Sequence, residues 1–272
     1  VAFEFQLAFD SHRWARIDCQ WFREDGFVEG VISDVTESRT QLLELERLNA
    51  DLDNFIYRAS HDLRSPLTTL MGLINLLESD AETAPHVYYE MIRDRVIHLD
   101  HLLADLAAIT YNNKAKVTIE PLDLETVREI ILSQYSQSAK ITFSSPTTPV
   151  FYTDTERLLT VFKKLISYSI RYNNPTYPLH EIDISVLVNE DAANIIFRDN
   201  GRGVSVDQLS KVFDLFHKTT NDVTDTGLGL YMTKLLVEKL NGTITMSSIV
   251  GKGTEIFVTI PNVPGPPVIL LS

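Results

Sequence analysis

The sequence predicts a multidomain protein of α and α/β class: a few β-strands, then a helical hairpin that pairs into a dimeric four-helix bundle, then an α/β sandwich. Three observations predict it. Apolar residues step by three and four from Leu45 through Leu48, Leu52, Phe55 and Ala59, the period of a buried helix seam. After a break at Glu78 to Pro85, a second stripe runs through Ile92, Val96, Leu99, Leu103 and Leu106, so two amphipathic helices join as an αα-hairpin. Beyond Asn112-Asn113-Lys114, strand and helix patterns mix and include adjacent hairpins, as in a sandwich with helices on one face. A single hairpin leaves its seam uncovered, whereas two make a four-helix bundle, so a homodimer is expected.

Composition narrows the function classes. At 272 residues and 44% hydrophobic, the chain can bury the cores of two domains. A formal net charge of -13 argues against nucleic acid or an anionic membrane as the main partner. The single cysteine, Cys19, excludes an internal disulfide and fits a reducing, cytoplasmic setting. No apolar run has the length of a membrane span, and no signal-peptide pattern opens the chain. Because it starts at Val1 in strand-like sequence, it reads as an excised portion of a longer protein.

Residues 1–36 read as β. Phe3, Phe5, Leu7 and Phe9 alternate with Glu4, Gln6 and Ala8, and Ala15, Ile17, Cys19 and Trp21 alternate with Arg16, Asp18 and Gln20. Glu24-Asp25-Gly26 signals a hairpin turn, and Phe27 to Val35 a third strand. Residues 37–113 hold a coiled-coil linker and the hairpin. One helix covers Glu37 to Leu77; its seam keeps steps of four from Phe55 through Ala59 and Leu63 to Leu67 before Leu70, Ile74 and Leu77, a stutter that locally unwinds a supercoil. Residues 114–261 form the sandwich. Strands are expected at 116–120, 140–143, 150–152, 181–188, 193–199, 243–247 and 254–260, and helices at 124–136, 156–172 and 229–240. The proline-rich tail, 262–272, is expected to be poorly ordered.

Four strings carry candidate chemistry. In Ser60-His61-Asp62-Leu63-Arg64-Ser65-Pro66-Leu67, His61 lies two positions beyond the seam residue Ala59, about 200° around the helix, and should face solvent. An exposed imidazole beside a carboxylate can serve as a nucleophile, although most exposed helix histidines are simply solvated. Asp199-Asn200-Gly201-Arg202-Gly203 follows the strand Ile195-Ile196-Phe197. Its glycines let backbone approach a planar ligand whose amino hydrogens the acid accepts; alone, it also reads as an ordinary turn. Thr226-Gly227-Leu228-Gly229-Leu230 places glycine amides at a helix N-terminus, a ready anion site. Between them, Val212-Phe213-Asp214-Leu215-Phe216-His217-Lys218 offers aromatics to anchor a loop and Lys218 to reach phosphate. His86, His98 and His101 lack carboxylates or cysteines at ligand spacing and read as solvated surface.

The His61 string resembles the phosphoacceptor box of the sensor histidine kinases of two-component systems, in which the proline equivalent to Pro66 bends the helix. The other three, taken in chain order, resemble the G1, F and G2 boxes of the GHKL-type ATP-binding domain of the same family, and the likeness covers residues 37–261. Gly30-Val31-Ile32-Ser33-Asp34-Val35-Thr36-Glu37 resembles the closing strand and exit of PAS sensor domains, with a generic β-meander as the alternative. The resemblance implies ATP with Mg²⁺ as cofactors, His61 as phosphoacceptor and Asp62 as its orienting group or base. Ser65 stands where relatives position water for dephosphorylating their partner. Asp199 would bind the adenine amino group, Gly201, Gly203, Gly227, Leu228 and Gly229 would shape the pocket, Lys218 would reach phosphate, and residues 214–226 would form a lid. The implied partners are a second copy and a response-regulator receiver domain, with no nucleic acid and no membrane contact within these residues.

The family also carries an N box, roughly Asn-Leu-x-x-Asn-Ala-x-Lys-Tyr, whose second asparagine helps hold Mg²⁺. The equivalent run here is Lys164-Leu165-Ile166-Ser167-Tyr168-Ser169-Ile170-Arg171-Tyr172. Arg171 and Tyr172 keep the register and join the cofactor-binding set, but Lys164 and Tyr168 replace both asparagines. A neutral phenol is a poor Mg²⁺ ligand, and Asn173 and Asn174, five and six positions beyond Tyr168, point elsewhere. Lys164 or Arg171 can offer a compensating cation. Lys164 also stands near the place where ATPases of the gyrase and MutL kind keep a glutamate base, which disfavours simple ATP hydrolysis. Two readings follow: ATP-dependent autophosphorylation of His61 with transfer to a response-regulator aspartate, or a catalytically degraded kinase acting as a dimeric signalling scaffold or response-regulator phosphatase.

Overall fold

The computed structural model describes residues 2–7, 10–22, 27–79, 85–146, 149–218 and 226–263. The Glu24-Asp25-Gly26 turn, most of the break between the long helices, residues 219–225 of the expected lid and the tail from 264 lie outside the described residues. The chain divides into two units, Val1–Asp62 and Leu63–Ser272.

Three antiparallel strands, β1 (Ala2–Leu7), β2 (Asp10–Phe22) and β3 (Phe27–Asp34), form the first sheet with β2 in the middle. β3 hands over to α1 (Thr36–Ser79) through a turn fastened by side chains. Asp34 accepts the Thr36 amide at 3.0 Å and its hydroxyl at 2.6 Å, and pairs with Arg13. The Thr36 hydroxyl and Arg13 hold the Asp34 carboxyl well below the usual carboxylate range. Thr36 Oγ1 in turn accepts the Trp14 amide at 2.9 Å, so the first residue of α1 is tied to the central strand.

α1 continues through Pro66, which takes one amide out of the helix ladder one turn past His61. Within this single chain the expected seam is only partly covered. Ala59 and Leu73 are buried, whereas Leu45, Leu52, Leu67 and Ile74 are exposed. In α2 (Pro85–Lys114) the inward face carries His98, Leu102 and Ile109, while Val96 and Leu103 remain exposed. His98 therefore corrects the surface expectation. It precedes Leu102 by four residues, so it shares that residue's face and goes inward with it.

The second unit continues with β4 (Glu120–Leu122), α3 (Leu124–Tyr135), β5 (Lys140–Ser144), β6 (Phe151–Thr153), α4 (Thr155–Arg171), β7 (Glu181–Val188), β8 (Ala192–Asp199), the short α5 (Val206–Leu209), α6 (Gly229–Lys239), β9 (Thr243–Ile249) and β10 (Gly253–Pro261). The main sheet has the order β5-β7-β8-β10-β9, with β5 parallel to β7 and the remaining pairs antiparallel. Its inward side chains alternate: Ile182, Ile184 and Val186 on β7, Ile195 and Phe197 on β8, Ile256 and Val258 on β10. Helix α4 buries Leu158, Val161, Phe162, Leu165 and Ile166, the three-and-four stripe its sequence offers. Phe162 meets Phe197 of the sheet at 5.3 Å between ring centroids. The expected α/β sandwich is thus present.

The strand expected at 116–120 is not formed there, since β4 starts only at Glu120. Side chains of α4 occupy that backbone instead. Arg157 donates to the carbonyls of Ala115 and Lys116 and to Asn112 Oδ1, and Asp154 accepts the Thr118 amide at 3.0 Å. Asp154 also caps α4 by accepting the Arg157 amide, and the two buried charges pair with each other. The end of α2 is therefore pinned to the start of α4.

Candidate functional site

His61 behaves as its place on the helix predicts. Its side chain is 71% exposed, and Nδ1 lies 2.9 Å from Asp62 Oδ1. In the neutral tautomer with hydrogen on Nδ1, Asp62 accepts that hydrogen and Nε2 presents a lone pair to solvent. Ser65, exposed one turn later, passes its carbonyl to the Thr69 hydroxyl at 3.1 Å.

Asp199 ends β8 opposite Thr254 and Ile182. Oδ1 accepts the Gly201 amide at 2.8 Å and the Thr254 amide at 3.2 Å. Burial pushes its carboxyl above the ordinary range, against the opposing pull of these amides, of His180 and of the Ser169 hydroxyl. Ser169 and His180, joined at 3.1 Å, escaped the sequence reading. The available signal was a serine at a buried position of the α4 stripe, three residues after Ile166. The glycines are required by the chain's own backbone. A Cβ on Gly203, at φ +69°, would lie 2.2 Å from the Ile249 carbonyl oxygen, and one on Gly201 2.7 Å from the Tyr172 carbonyl oxygen.

A cavity of about 480 Å³ opens between the C-terminal part of α2, α4, the 212–217 segment and the start of α6. Of the residues expected at the site it gathers Arg171, Tyr172, Gly227 and Gly229, together with Tyr168 and Lys164 of α4. Asp199, Gly201, Gly203, Lys218 and Leu228 do not line it, and Leu228 is fully buried. A Cβ on Gly229 would meet nothing within 4 Å, so that glycine leaves open room at the helix start. The sequence reading missed a contribution from the hairpin: His101, Ala104 and Asp105 of α2 form one wall. Asp105 holds both flanks, pairing with Lys164 through one oxygen and accepting the Thr226 hydroxyl at 2.9 Å with the other.

The residues present do not fit Mg²⁺. Among the described residues no three His, Cys, Asp or Glu side chains gather as a metal-binding group. The Tyr168 ring packs against Tyr172 at 4.6 Å between centroids, filling the place expected for an amide. Asn174 caps its own turn through the Thr176 amide and reaches the Gly251 carbonyl. Asp105, the one carboxylate among the described lining residues, is engaged by Lys164 and Thr226. The lining is instead cationic, with Lys163, Lys164 and Arg171 from α4, beside His101 and His217.

Comparison with known proteins agrees with this layout. Residues 51–110 match the His Kinase A (phospho-acceptor) domain, and residues 153–264 match the histidine kinase-, DNA gyrase B- and HSP90-like ATPase family. A sensor protein kinase WalK from Staphylococcus saprophyticus is 32% identical over 88% of this chain and 40% of its own length. The methanogenesis regulatory histidine kinase FilI of Methanothrix harundinacea is 29% identical over 83% of this chain and 26% of its own. The chain thus spans less than half the length of these relatives. Among solved structures, the Acinetobacter baumannii histidine kinase AdeS superposes with a TM-score of 0.59 at 23% identity, covering 74% of this chain and 98% of that one. The histidine kinase ThkA, solved in complex with the response regulator protein TrrA, gives 0.63 at 17% identity over 92% of this chain and 75% of that one. Both likenesses concern the fold.

Proposed function

We propose, from the premise that this chain belongs to the sensor histidine kinases, that it binds ATP at the cationic cavity and accepts the γ-phosphate on His61. The carrying observation is the pairing of an exposed His61, whose Nδ1 is held by Asp62, with a matched ATPase-family domain whose cavity gathers Lys164, Arg171, Gly227 and Gly229. Asp62 fixes the tautomer, so Nε2 attacks phosphorus while ADP leaves with the bridging oxygen. Asp199 is the acceptor for the adenine amino group. Gly201 and Gly203 hold the loop beside it, Lys218 reaches the phosphates, and the buried Leu228 seats the G2 turn.

The exposed leucines and isoleucines of α1 and the uncovered face of α2 support assembly of two chains into a four-helix bundle. A receiver-domain aspartate is the proposed destination of the phosphate, a partner class of which the ThkA–TrrA complex is an example. One observation favours a second reading. Tyr168 in the metal position and the cationic lining suit slow transfer, and with Ser65 beside His61 the balance then tilts toward a scaffold or regulator phosphatase. The test is incubation with γ-labelled ATP beside His61→Ala. Acid-labile label on the unmodified chain alone supports the kinase; no label on either, from a folded dimer, supports the scaffold.

A further inference from the structure

The cavity meets a polyphosphate with side-chain charge where the family uses a metal. We infer that it binds the polyphosphate of a nucleotide on side-chain cations without a divalent ion, and that Lys164 delivers its charge by exchanging Asp105 for phosphate. The inference rests on the nucleotide-binding reading above and deepens it.

Among the described residues the lining carries three permanent cations, Lys163, Lys164 and Arg171, against one carboxylate, Asp105. That carboxylate is the present partner of Lys164, whose side chain keeps 28% exposure while Asp105 keeps 14%. An ammonium already held by an anion is partly desolvated, so for Lys164 one charge-assisted contact replaces another, while Asp105 keeps the Thr226 hydroxyl and the loss of its cation is offset by the contacts made to phosphate. Lysine suits this exchange, since it is a point charge on a flexible stem. Gly229 leaves space beside it, and Arg171 adds a planar donor fork for phosphate oxygens. A metal arriving with the nucleotide would compete for the same oxygens, and among the described residues no three His, Cys, Asp or Glu side chains gather to complete its shell.

The exchange reaches beyond the cavity. Asp105 belongs to α2, two helical turns before Asn112, which Arg157 holds against α4. When Lys164 turns to phosphate, α2 loses its ion pair with the middle of α4 and keeps the contact at its end. Nucleotide occupancy and the fastening of the hairpin helix thereby become coupled.

Calorimetric titration of ATP in EDTA and again in excess Mg²⁺ tests this. ATP is expected to bind in EDTA at least as tightly as in Mg²⁺, with affinity rising from AMP to ADP to ATP in the unmodified chain. Lys164→Ala is expected to weaken binding in EDTA by about 10- to 100-fold, the loss of one charge-assisted contact, and Asp105→Asn to tighten it. Equal affinity for AMP, ADP and ATP would overturn the inference, and needs no variant to fold. Binding that appears only with Mg²⁺ would also overturn it while leaving the nucleotide reading intact. No binding in either buffer, by a chain with a cooperative melt, would overturn both.

Discussion

The Asp199 end of the α/β domain and the Lys164 end are held in different ways. Around Asp199 the geometry is fixed by backbone: two amides converge on Oδ1, and Gly203 lies where a Cβ would strike the Ile249 carbonyl. Around Lys164 side chains also do the holding, with Asp105 of α2 bridging Lys164 of α4 and Thr226 just before α6. Backbone-held features cannot move without unfolding the domain. Side-chain-held features can exchange partners, so the part of this site open to rearrangement is its Lys164 end.

That contrast can be broken most severely at the junction behind it. Arg157→Ala leaves Asp154 buried without its partner and is expected to destabilise by about 3–5 kcal/mol, read as a lower denaturant midpoint with an unchanged slope. Somewhat smaller is the expected effect of Gly203→Ala, about 3 kcal/mol from the combined strain of positive φ and overpacking. Its counterpart Gly229→Ala adds a methyl group to open space at a helix start, so stability should hold while ATP affinity falls. If both alanines destabilise equally, the distinction between the two ends fails.

Asp199 sharpens the contrast through pH. Its carboxyl titrates above the ordinary range in the folded chain, so the native state binds the proton more tightly than the unfolded state. Its contribution to stability is full below the ordinary carboxylate range and is lost as pH rises through the native value. Asp199→Asn removes that loss, and its melting temperature should gain on the unmodified chain as pH rises from about 4 to 7. Asp34 runs the other way: Thr36 and Arg13 favour its charged form, so its smaller contribution is present above the ordinary carboxylate range and lost as pH falls. Replacing Asp34 with Asn should flatten the acid limb of the melting curve.

The difference between the two ends also explains what the sequence made legible. Asp199, its glycines and the Gly227-Leu228-Gly229 run are contiguous strings, visible in sequence even though Ile249 and Thr254, which enforce two of their contacts, lie far along the chain. Strand and helix limits over Glu181–Asp199 and Leu124–Tyr135 followed from the local pattern to within a residue. Asp105 was illegible as a site residue: it lies 59 positions from Lys164, and nothing in its local pattern distinguishes it from a solvated helix acid. His98 was misplaced because the inward face of α2 is set by packing that its own stripe does not specify. The strand expected at 116–120 failed for a similar reason, since Arg157 and Asp154 claim its backbone groups from 40 residues away.

The most direct test of the account is the initial rate of acid-labile labelling of His61 by γ-labelled ATP in Mg²⁺, with Tyr168→Asn beside the unmodified chain. The account predicts slow labelling of the unmodified chain, abolished by His61→Ala, and labelling at least about tenfold faster in the Tyr168→Asn chain, where an amide restores a metal ligand. Rapid Mg²⁺-dependent labelling of the unmodified chain, with no gain in the variant, would contradict it, because Tyr168 would then not stand in the place of a metal ligand.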